Sequence, residues 1–167
     1  TDGHWQVTYL KNYRDYLDAV TPLHNEDIAK YSDATKNIVA AYNEKLAAYK
    51  LRFNALSKTS TGTFTAEQKA GLEALIEQEV IPTLKARQQE LASVEVPAGA
   101  RYLADQRQRA TELTLEAWQH FLTGIKNDDP DELALAETLN KQELAVDLRV
   151  DDIIRQTAIS RNIPNLP

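Results

Sequence analysis

The side chains of this sequence that could do chemistry are its carboxylates, its arginines, three histidines and seven tyrosines, since it holds no cysteine and no methionine. Without cysteine there is no disulfide framework, thiolate metal site or thiol nucleophile, and the redox compartment stays open. Glu116 and His120 stand four apart, which puts a carboxylate and an imidazole on one helix face where they could share an ion. A di-iron bundle needs Glu-x-x-His on two helices and this sequence has neither, so the pair is expected at the surface without a metal. Asp128/Asp129 and Asp151/Asp152 are adjacent acids of the kind acid–base catalysis uses, but the first pair stands where a helix is capped and the second on a polar helix face. A serine elbow, a phosphate-binding glycine loop and a zinc-protease helix motif are all missing. No enzymatic activity, cofactor or metal is expected.

The elements that must position these groups are helices. Leu10, Tyr13, Leu17 and Val20, then Ile28, Tyr31, Ile38, Tyr42, Leu46, Tyr49, Phe53 and Leu56 keep three-and-four spacing, interrupted only at Pro22. The spacing predicts a segment near 5–20 and a longer one near 22–57, with Thr21-Pro22 either a fresh start or a kink. The polar stretch 57–63 reads as a loop, after which Thr65-Ala66-Glu67-Gln68 matches a capping box and opens a second helix. Leu72, Leu75, Ile76, Val80, Leu84 and Leu91 line that helix, and Pro82 predicts a kink near Gln78. Pro97 ends it and opens a third, which carries Leu103, Leu113, Trp118, Phe121 and Ile125. Asp128-Asp129-Pro130-Asp131-Glu132 is an Asp cap, a first-turn proline and two acids at the positive end of a helix dipole, so a fourth helix begins there and runs to a non-helical tail, 163–167. The fold class is therefore all-α: an antiparallel up-and-down bundle of four long helices in a single domain, 1–167, the first helix kinked or broken near Pro22, with more than about 70% helix.

A turn centred near Asp128 sets the partnering of the last two helices, because both rise at the same rate. Residue i then stands beside roughly 256 − i, so Arg109 is expected to meet Asp147, and Arg101 and Arg107 to lie near Asp151, Asp152 and Arg155. Solvated surface pairs contribute only about 0–1 kcal/mol each. A partly buried cluster of Arg101, Arg107, Arg109, Asp147, Asp151 and Asp152 would instead fix register or floor a binding site, since arginine bridges carboxylates through paired hydrogen bonds. Tyr9, Tyr13, Tyr16, Tyr31, Tyr42 and Tyr49 share the first helix and are expected along a half-buried seam, apolar body inward and hydroxyl outward. Trp5 and Trp118 are expected in core or edge packing, His24 partly buried beside Pro22, and His4 in a frayed end.

The formal net charge of −6 opposes binding to nucleic acid or anionic lipid, both of which need a basic surface. No apolar run reaches the roughly 18 residues that a membrane span takes. No methionine occurs even at position 1, so the chain is expected to be a processed or trimmed product, and no Asn-x-Ser/Thr glycosylation site occurs.

Tyr16-Leu17, Val20-Thr21-Pro22, Ile81-Pro82, Val96-Pro97 and Arg101-Tyr102-Leu103 with Gln106 and Arg109 give the chain a pattern that resembles small exported bacterial helical-bundle proteins, often lipoproteins, of uncharacterised function. The resemblance implies an extracytoplasmic place, periplasmic or at the cell surface, and brings no catalytic residues. A lipoprotein's anchoring cysteine is not in this sequence, so a membrane tether would lie upstream of Thr1. The expected function is a non-enzymatic binding module for a protein or small-molecule ligand. The alternative is the ligand-sensing domain of a bacterial receptor, whose last helix would continue into a second span; Pro164 and Pro167 would stop such a helix.

Overall fold

The structure, a computed structural model, describes residues 2–59 and 63–162. The side chains at 2–10, 12, 16–20, 22 and 161–162 fall outside it, and with them the expectations for His4, Trp5, Tyr9, Tyr16 and the tail 163–167. Helix accounts for 91%, with no strand among the described residues. Helix α1 runs Asp2–Leu56 as one element of 55 residues, about 82 Å at 1.5 Å per residue. It continues through Pro22, which withholds one donor from the ladder without ending it, so Thr21 caps no new helix.

The capping box forms as the sequence requires: Gln68 N donates to Thr65 Oγ1 at 3.2 Å, and Thr65 N to Gln68 Oε1 at 2.9 Å. The Gln68 amide also donates to the carbonyls of Leu56 (3.0 Å) and Lys58 (2.7 Å), so one side chain closes the end of α1 and the start of α2. The expected second helix is α2 (Ala66–Leu75), a π turn (Ile76–Val80) and α3 (Ile81–Ala92) in unbroken succession. Pro82 cannot donate to the Gln78 carbonyl and its ring crowds that oxygen; the wider turn gives it room, with Ile81 N–H reaching back five residues to Ile76. Leu72, Leu75, Ile76, Val80 and Leu84 remain fully buried on either side of and within the turn.

A short 3₁₀ turn, Ala98–Ala100, follows Pro97 and leads into α4 (Arg101–Asn127). Gly99 lies so close to α1 that a Cβ would sit 2.9 Å from the His24 Cα, and its N–H donates to Asp27 Oδ2 at 2.9 Å. His24 itself is exposed, contrary to the sequence expectation, because the glycine packs against its backbone and leaves the ring at the edge of the contact. Helix α5 spans Pro130–Asn162, and the turn before it is the Asp cap read from the sequence: Asp129 Oδ1 accepts from the N–H groups of Asp131 (3.0 Å) and Glu132 (3.3 Å). Asp128 adopts the left-handed conformation (φ 53°) that closes α4.

Helices α4 and α5 form a hairpin near the register expected from the turn: Gln106 accepts from Arg149 at 3.2 Å, and Ala117 packs in one cluster with Leu113 and Leu139. Gly124 lets the hairpin close. A Cβ there would stand 2.7 Å from Leu133 Cγ and 3.1 Å from the Asp129 carbonyl. Gly124→Ala is expected to destabilise by about 1–3 kcal/mol, read as a lower denaturant midpoint, because the strain falls on a branched carbon and on backbone. An unchanged midpoint would show that the turn relaxes freely.

Candidate functional site

Helices α1 and α5 meet where Ile28 and Ser32 face Ile154 and Thr157, and further along they flank a cleft of about 680 Å³ that α3 and α4 also line. Clefts between helices of an α-helical protein are where ligands are commonly held. One end is aromatic. Phe53 of α1 meets Trp118 and Phe121 of α4 edge to face, with ring centroids 5.1 Å apart in both pairs, and Trp118 and Phe121 are 6.1 Å apart. Leu72, Ile76 and Ile125 pack behind this group, so the rings are held in a wall.

The other end is charged. Arg87 of α3 reaches between the helices, and its buried Nε finds no acceptor in the protein. Glu143 and Asp147, one turn apart on α5, line the same cleft and act on Arg87 as charges. Burial presses the Arg87 guanidinium toward losing its proton, and the two acids oppose that. Burial likewise pushes the Glu143 carboxyl up to about 7, helped by the hydrogen bond to Asp147 and by that residue's charge; Arg87 and the Thr114 hydroxyl pull weakly the other way. The Glu143–Asp147 pair thus carries a proton at neutral pH that an exposed pair would have lost.

This has a measurable sign. Between about 4.5 and 7 the native state holds a proton on Glu143 that the unfolded chain has released, so stability present at lower pH is lost as pH rises through that window. Glu143→Gln removes the titration. The variant is expected to equal the parent near about pH 4.5 and to exceed it by about 1–2 kcal/mol near about pH 8.5, a figure reduced for the half exposure of the side chain. Urea midpoints at the two pH values check it, and equal differences at both would place the proton elsewhere.

The six charged residues singled out from the sequence do not form one cluster. Arg109 pairs with Glu112 (3.7 Å) and Glu116 (3.9 Å) on its own helix, on a side away from the cleft that Asp147 lines. The expected Arg109–Asp147 pair is not made, although the hairpin register is nearly as expected. Index arithmetic fixes the level along the axis and leaves the angle around it open; the seam of α4 toward α5 runs through Gln106, Leu113 and Ala117, off Arg109. Asp152 pairs with Arg155 at 2.5 Å, and Asp151 is exposed while its charge reaches Arg107. Arg101 and Arg107 do come together, lining a second cavity of about 340 Å³ with Tyr31 and Asp105. Arg107 is buried there, donates to the Thr35 hydroxyl and lies 5.5 Å from the centre of the Tyr31 ring.

His120 turns to Glu132 across the hairpin (Nδ1 to Oε2 2.5 Å) rather than to Glu116. Among the described residues no group of three or more His, Asp or Glu is placed to hold a metal ion, and no helix is long and apolar enough to cross a membrane. Of the tyrosine stripe, Tyr31 and Tyr42 are buried, Tyr49 lines the cleft and bonds Thr83 (3.3 Å), and Tyr13 is exposed.

Arg87 and Glu143 did not emerge from the sequence. The signal was there for Arg87: it falls at the apolar spacing of Val80, Leu84 and Leu91, a charge in a buried stripe. Compared with protein-family models, with curated proteins and with solved structures, the chain matches none of them.

Proposed function

We propose that the protein is a non-enzymatic binding module whose ligand lies in the cleft among α1, α3, α4 and α5. The observation that carries this is the pairing of an edge-to-face aromatic wall with a partly buried Arg87 whose Nε has no partner, in one elongated hollow, an arrangement that stabilises a bound molecule better than it stabilises a core. We read the helices around it as an up-and-down antiparallel bundle in one domain, with α1 kinked at Pro22. The extracytoplasmic place rests on the resemblance to exported bundle proteins.

The test is titration with N-phenyl-1-naphthylamine, an uncharged aromatic probe that brightens in apolar sites. Saturable binding at one site is expected. Asn140 and Leu144 are exposed and line the cleft, so Asn140→Trp with Leu144→Trp should weaken the probe by about tenfold or more without overpacking the core, whereas Ile159→Trp, on an exposed position outside the cleft, should not. Equal binding by all three proteins would remove the cleft as the site.

A further inference from the structure

Resting on that reading of the cleft, we propose that its ligand is an amphiphilic organic cation, with an ammonium head between Glu143 and Asp147 and an apolar body lying toward Phe53, Trp118 and Phe121. The distance suits an elongated molecule: Asp147 and Leu133, which line opposite ends, are 14 residues apart on α5, about 21 Å. The walls between them are Leu46, Val80, Ala117 and Ala136, which offer contact without polar demand.

Charge decides the sign of the head group. Arg87 from α3 faces Glu143 and Asp147 from α5; Tyr49 and Lys50 of α1 and Glu137 of α5 also line the cleft, Glu137 paired with Lys141 at 2.7 Å; α4 contributes Thr114 to the lining, and its Arg107, in the neighbouring cavity beside Tyr31 and within reach of the Asp151 charge, acts on Arg87 as a like charge. With both carboxylates ionised, the Arg87 group carries one net negative charge in a partly desolvated place, and it recruits a proton to neutralise it. An ammonium supplies the same positive charge together with N–H donors for both carboxylates. An anionic head would instead leave Asp147 beside a second negative charge. On binding, Glu143 releases its proton to solvent, so that both carboxylates stand ionised between the ammonium and Arg87. The aromatic wall suits the cation's alkyl or aryl body, and its ring faces tolerate the positive end during entry.

The experiment is displacement of N-phenyl-1-naphthylamine by decylammonium, decanol and decyl sulfate, each below its aggregation threshold, at about pH 5.5 and about pH 8.5. Decylammonium should displace the probe at about tenfold lower concentration than decanol at the higher pH, and this advantage should shrink at the lower pH, where the ligand must expel the proton. Glu143→Gln and Asp147→Asn should each reduce the advantage while leaving decanol unchanged. Equal displacement by decylammonium and decanol, or a preference for decyl sulfate that Arg87→Gln removes, overturns the cation assignment and leaves the cleft standing. Failure of the probe to bind overturns the cleft reading and this proposal together.

Discussion

Leu84→Ala is expected to lower stability by about 3–5 kcal/mol and the thermal midpoint by about 10 °C for a chain of this size. Leu84 is fully buried with Leu75 and Val80, under Leu46, Tyr49, Phe53 and Trp118. Removing its branched end costs the transfer of those carbons and the cavity left behind, and the cavity opens beneath residues that also form the cleft. Collapse into it would tilt Phe53 or Trp118, so the aromatic probe should weaken in parallel. Leu148→Ala, at a position 62% exposed, is expected to change the midpoint by less than about 0.5 kcal/mol. Thermal unfolding followed by circular dichroism separates the two, and a Leu84→Ala loss as small as that of Leu148→Ala would mean that the packing around Leu84 is loose.

Arg107→Ala is expected to cost about 2–3 kcal/mol, and Arg107→Met less than about 1 kcal/mol. The guanidinium is buried, donates to Thr35, which in turn donates to the Tyr31 carbonyl at 2.8 Å, and lies over the Tyr31 ring. Its charge is opposed by burial and by the nearby charge of Arg87, and Tyr31 and Asp151 favour it. The favourable contacts therefore offset a desolvation cost that methionine does not carry, while methionine keeps the aliphatic stem in place. Alanine keeps neither, and it enlarges the adjacent cavity of about 340 Å³. If methionine proves as costly as alanine, the cation itself holds α4 against α1, and packing does not.

What the sequence made legible was position along each axis. Thr65 and Gln68 specify a cap by chemistry that operates within four residues, Asp129 and Pro130 do the same for α5, and the turn at Asp128 sets the level of α4 against α5. These are local interactions, readable because donor, acceptor and spacing are all in one short string. Angular position was harder. Arg109 and Asp147 stand at the predicted level yet face different neighbours, and Glu143 gains its raised pKa from burial contributed by helices far away in sequence. Pro22 was legible as an interruption, either a fresh start or a kink in one rod, and the continuous α1 excludes the fresh start; local sequence could not decide between them, since the outcome depends on the helix on both sides of it. The cleft was illegible for the same reason as Glu143: a hollow is defined by what four elements leave between them, and no single stretch encodes it.

The turn of Ile76–Val80 is wider than an α turn by one residue, so it accommodates one residue more than an unbroken α-helix would over the same rise. A relative missing that residue would carry every later side chain of α3 about 100° around the axis, since each residue of an α-helix advances by that angle. Leu84 would leave the core and Arg87 would leave the cleft. In an alignment, then, a one-residue gap between positions 76 and 80 would separate chains that own the charged end of this site from chains that do not, whatever residue each has at the position aligned with Arg87.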